Sequence, residues 1–129
     1  MIEREWQTIL GKVPSKSNCY KIITKMNPKT KKYHGSLAKA DVLNEYENKF
    51  FIQCNHYRNK SPIKGYFEIH LKVYYPTERA DIDNALKIIL DCLQHKCRAI
   101  VNDNKCVKII AEKYLDKVNP RIEFKLTEI

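Results

Sequence analysis

The sequence predicts an α+β fold, a mixed sheet packed with two main helices in one small domain spanning residues 1–129, and three observations carry that reading. Residues 67–75 alternate, with Phe67, Ile69, Leu71, Val73 and Tyr75 on one side and Glu68, His70 and Lys72 on the other, the period-two signature of a strand with one buried face. Two other stretches repeat apolar residues at spacings of three and four: Leu37, Ala40, Leu43, Tyr46, Phe50, Cys54 and Tyr57, then Ile82, Leu86, Ile89, Leu90 and Leu93. That spacing belongs to helices with one apolar stripe. Finally, 129 residues of which 43% are hydrophobic suffice to bury a core without disulfides or a structural metal.

Taken in order, Glu5–Leu10 reads as a first strand ending at Gly11, and Cys19–Lys25 leans to β structure. The turn-rich basic run Asn27-Pro28-Lys29-Thr30-Lys31-Lys32 follows as a flexible loop. Ser36 can cap a long first helix running to about Arg58. Pro76 ends the alternating strand, and the second helix runs from about Asp83 to His95, its basic end His95-Lys96-Cys97-Arg98 suiting the C-terminal dipole. After the polar turn Asn102-Asp103-Asn104, strands are expected through Val107, Ile109 and Ala111 and from Arg121 to Thr127.

Composition narrows the function classes. No run approaches the length of a membrane span, and the N-terminal residues Met1–Trp6 carry acids where a secretory signal would be basic and then apolar; a cytoplasmic protein is expected. Five cysteines, an odd set without a C-x-x-C pair, argue against a secreted disulfide framework. Cys92, His95, Cys97 and Cys106 match no familiar zinc spacing. With only three glycines and no G-x-x-x-x-G-K-[ST], a nucleotide cofactor is not expected.

The net charge of +9 is unevenly spread: residues 1–35 hold eight Lys or Arg against two acids, whereas residues 65–103 hold five against six. A basic chain with one acidic focus suits a polyanion gripped by lysines and a separate cluster where a divalent cation neutralises carboxylates. That focus is Asp81-Ile82-Asp83-Asn84 at a strand-to-helix junction, where both carboxylates can face one side. Hard cations such as Mg²⁺ take oxygen ligands of this kind. Asp103 would join them if Ala99-Ile100-Val101 paired with the 67–75 strand. Lys87, one helical turn beyond Asp83, could stabilise phosphate charge, and Asp91 lies a further turn on. Capping by the aspartates and an ordinary Asp83–Lys87 pair are the structural alternatives.

The run Pro76-Thr77-Glu78-Arg79-Ala80-Asp81-Ile82-Asp83-Asn84-Ala85-Leu86-Lys87, then Asp91-Cys92-Leu93, Asn102-Asp103 and Lys113, resembles the RusA family of Holliday-junction resolvases. Gly11–Asn18 adds support. The resemblance implies that Asp81, Asp83 and Asp103 bind Mg²⁺ or Mn²⁺, that Lys87 assists phosphodiester hydrolysis, and that Lys16, Asn84 and Lys113 contact DNA. It further implies a homodimer acting on a four-way junction or other branched DNA. Asn102 stands where some members carry a second aspartate. The competing readings are a nuclease for other branched DNA and a non-catalytic basic protein that binds nucleic acid.

Overall fold

The computed structural model describes residues 1–15, 19–26 and 28–129. In chain order the elements are β1 (Ile2–Glu3), β2 (Gln7–Leu10), β3 (Tyr20–Met26), β4 (Tyr33–Lys39), α1 (Asp41–Gln53), β5 (Phe67–Tyr75), α2 (Ile82–Asp91), β6 (Cys106–Leu115) and β7 (Arg121–Glu128). A π-helical turn, Cys92–Lys96, prolongs α2, and a 3₁₀ turn, Asp103–Lys105, leads into β6. The alternation of residues 67–75 makes β5 the centre of a five-stranded sheet, flanked by β6 on one side and β7 on the other, with β1 and β2 on the far side of β7. Strands β5 and β7 are antiparallel, whereas β5 and β6 are parallel. A parallel pair needs a crossover, and α2 supplies it.

The apolar side of the sheet and the stripes of the two helices form the core. Phe124 of β7 stacks on Phe50 of α1 at a centroid distance of 5.8 Å and meets Tyr57 at 5.3 Å. The Tyr57 hydroxyl donates to the Glu5 carbonyl at 2.6 Å and accepts from the Leu126 N–H at 3.0 Å, so this buried phenol is fully satisfied. Buried Gln7 ties β2 to the end of α1: its Nε2 donates to the Gln53 carbonyl and its Oε1 accepts from the His56 N–H.

Three expectations are corrected. Ser36 caps no helix; residues 33–39 pair with β3 from Tyr20↔Lys39 to Met26↔Tyr33, and α1 starts at Asp41 after an extended Ala40. Helical spacing at Leu37 and Ala40 yields to hairpin pairing, because cross-strand partners decide what a short apolar run becomes. The same helix ends at Gln53 rather than Arg58, whose Nη1 instead donates to the Phe51 and Ile52 carbonyls of the last turn. The Ala99–Val101 run does not pair with β5: Ile100 forms a single parallel bridge to Ile63, and Cys106–Leu115 takes the place beside β5.

Strands β3 and β4 form a separate two-stranded ribbon. Its turn contains Lys31 at φ 56°, a left-handed conformation that costs a residue with a Cβ about 1–2 kcal/mol. Gly11, at φ 112° and with its N–H on the Pro120 carbonyl, is where glycine is needed to turn the chain out of β2.

Candidate active site

Asp81 and Asp83 sit where the chain leaves β5 and enters α2. Asp81 is extended at φ −93°, ψ 134°, and its side chain caps none of the helix N–H groups, which removes the capping explanation for that carboxylate. Asp83 accepts the Asn84 N–H on Oδ1 at 2.9 Å. None of the described ion pairs involves Asp83 or Lys87, so the pairing explanation for Lys87 fails as well.

Neighbouring groups hold this corner in place. The buried Tyr75 phenol donates to the Asp81 carbonyl at 2.9 Å. Its pKa is pushed up to about 12, first by burial and then by the negative charges of Asp81 and Asp83, so both carboxylates act on this phenol. Asn84 Nδ2 donates to the Pro14 carbonyl at 2.9 Å, fastening the segment after β2 to the start of α2. Lys113 Nζ donates to the Glu78 carbonyl at 2.8 Å and lies 5.8 Å from the Tyr75 ring centroid, bracing the loop that carries Asp81. Between these groups opens a cleft of about 430 Å³ lined by Pro14, Ser15, Tyr75, Arg79, Ala80, Asp81 and Asn84. Tyr75 and Arg79 were not legible as site residues; the only hint was their position at either end of the turn before Asp81.

Asp103 stands elsewhere. Its N–H donates to Gln94 Oε1 at 3.0 Å, beyond the end of α2. The neighbouring carboxyl is Asp91, whose pKa is raised mainly by burial, with Asp103 adding to the rise and Lys87, His95 and Lys39 opposing it. Eight residues of helix at a rise of 1.5 Å separate Asp83 from Asp91 by about 12 Å. One chain therefore presents two acidic groups, Asp81 with Asp83 and Asp91 with Asp103, at opposite ends of α2 with Lys87 between. The expected convergence of Asp81, Asp83 and Asp103 within one chain does not occur, because β6 runs parallel to β5 and its entrance lies at the other end of the sheet. Among the described residues no three His, Cys, Asp or Glu side chains are grouped to hold an ion.

The Asp81/Asp83 pair nonetheless fits the protein share of a Mg²⁺ site, since that ion keeps several waters and is bound through one or two carboxylates plus substrate phosphate oxygens. The cysteines offer no such set: the Cys97 thiol is free and hydrogen-bonded to the Cys54 thiol, which lowers its pKa, and His95 is exposed. Lys16 lies outside the described residues.

Residues 20–127 match the family model described as Endodeoxyribonuclease RusA. No curated protein matches the chain.

Proposed function

The chain belongs to the RusA family of endodeoxyribonucleases, and from that premise we propose that it is a Mg²⁺-dependent Holliday-junction resolvase, cutting phosphodiesters of four-way DNA junctions in recombination and repair. The observation that carries this reading is the pair Asp81 and Asp83 at the start of α2: Asp81 lines an open cleft and caps no helix N–H, and Asp83 spends one oxygen on the Asn84 N–H and enters none of the described ion pairs. Mg²⁺, or Mn²⁺ in its place, would supply an activated water and neutralise the scissile phosphate. Asp81 and Asp83 would hold the ion. Lys87, one turn along α2, faces the ground between the acidic groups and stabilises charge developing on the phosphate oxygens. Tyr75 fixes the Asp81 carbonyl, Lys113 the Glu78 carbonyl in the loop before it, and Asn84 the wall of the cleft.

Asp103 enters this reading through a homodimer. Strand β6 is an edge of the sheet, and it exposes Val107, Ile109, Ile110, Tyr114 and Leu115, an apolar edge of the kind monomers avoid. A second copy related by a two-fold axis across α2 covers that edge and sets the two helices antiparallel. The partner's Asp103 then reaches the Asp81/Asp83 end of the first helix. Two equivalent sites result, one for each of two opposed strands of a junction.

The test offers a synthetic four-way junction and a linear duplex of equal length, each with and without Mg²⁺. Paired symmetric nicks in the junction alone, only with the cation, are expected. Equal cutting of both substrates would remove the resolvase reading and leave a general nuclease; no cutting of either would remove both.

A further inference from the structure

We propose that the β3–β4 ribbon is an arm that grips a DNA duplex beside the active site, with Lys31 at its tip seated against a backbone phosphate. The inference rests on the nuclease reading above and adds the element that holds the substrate. Its first support is charge. Residues 20–39, the ribbon and its turn, contain six lysines (21, 25, 29, 31, 32 and 39) and not one aspartate or glutamate, so the ribbon carries a strong positive charge that attracts a polyanion.

Position is the second support. The ribbon is hydrogen-bonded into neither edge of the main sheet. Just before it, the Pro14 carbonyl is held by Asn84 beside Asp81 and Asp83. At its end, Lys39 Nζ bridges both oxygens of buried Glu47 at 3.0 and 2.9 Å and lies near enough to Asp91 to lower that acid's pKa. The segment preceding the arm is thus fastened beside Asp81 and Asp83, and the arm's last residue is anchored to α1 through Glu47. Seven-residue strands at about 3.4 Å per residue give a ribbon about 24 Å long, the length of about seven base pairs at 3.4 Å each.

The third support is Lys31 itself. Its φ of 56° is a backbone state that glycine or asparagine adopts with less strain. Folding alone would favour one of those residues, so a lysine at that place points to a use for its side chain. The opposite, helix-free side of the sheet offers no rival surface. There Lys72, Lys108, Arg121 and Lys125 are answered by Glu3, Glu68, Glu112, Asp116 and Glu123, several in direct pairs.

Full-length wild type, Lys31→Gly and Lys31→Arg are compared for binding to the four-way junction, to linear duplex and to a single strand of equal length, over a range of salt concentrations. Thermal melting is measured alongside. Lys31→Gly is expected to melt no lower than wild type, to bind duplex and junction about fivefold more weakly at physiological salt, and to lower the slope of log K against log salt by about 0.9, the loss of one phosphate contact. Lys31→Arg keeps wild-type affinity and slope. Wild-type binding and slope in Lys31→Gly would overturn the proposal, as would weaker binding accompanied by a lower melting temperature. An equal loss on the single strand overturns the assignment to a duplex. Wild type that cuts no junction in Mg²⁺ defeats the nuclease reading whatever the slopes; normal cutting with unchanged slopes defeats the arm alone.

Discussion

The phenol of Tyr75, at the last residue of β5, donates to the carbonyl of Asp81, six residues on, at 2.9 Å. A strand end and a helix start are thereby joined across the loop that carries the first acidic residue of the site. Tyr75→Phe leaves that carbonyl without its donor, so a stability loss of about 1 kcal/mol is expected. Cleavage should fall severalfold in single-turnover measurements while junction affinity stays unchanged. Wild-type cleavage in Tyr75→Phe would show that the bond holds the fold and not the site.

Asp83→Asn is expected to abolish cleavage and to keep or strengthen junction binding, because the protein loses a negative charge near the phosphate. Asp103→Asn is expected to do the same. Mixed and allowed to exchange subunits, the two inactive variants form heterodimers in which one site holds both substitutions and the other holds none. Recovery of single-strand nicking in the mixture is therefore expected. Continued inactivity, with exchange verified by mass, would place all the acids of one site on one chain.

Phe124 carries the densest aromatic packing, against Phe50 and Tyr57. Phe124→Ala should cost about 3–5 kcal/mol, read as a lower denaturant midpoint with little change of slope. A loss under 1 kcal/mol, on the order expected for a surface substitution, would show that α1 and the segment after it do not lean on β7 as described.

The turn between β6 and β7 is governed by Asp116. Its carboxyl is held below the ordinary range chiefly by the Asn119 N–H, then by Arg121 and the Val118 N–H. A depressed carboxyl stabilises the fold above its unfolded pKa and loses that contribution as pH falls through the folded value. Asp116→Asn should therefore melt below wild type at neutral pH, and the difference should close as the solution is acidified below the ordinary aspartate value of 3.8. A gap that stays constant down to strong acid would refute the linkage.

Much of this molecule could be read from its residues because burial writes a period into the chain. Phe67 to Tyr75 and Ile82 to Leu93 each have one face against the core, and both elements appear where their patterns place them. Asp81 and Asp83 were legible because strand exit and helix entry are local events. The boundary near Ser36 was not: Leu37 and Ala40 extend a helical stripe by accident, and only the partner strand, whose Tyr20 pairs with Lys39 at the far end, reveals the hairpin. Nor could the place of Asp103 be read. It depends on which segment lies beside β5, and although Val107, Ile109 and Ala111 announced β6 as a strand, nothing in a strand exposed along most of its length told which neighbour it would take.

The parallel alignment of β5 and β6 has one more consequence. With β6 entering beside Phe67 at the start of β5, Asp103 of a single polypeptide lies toward the Asp91 end of α2 and away from Asp83. On the proposed assembly, an isolated subunit is inert, and at copy numbers too low for pairing the rate of strand cutting rises with the square of the amount of protein made.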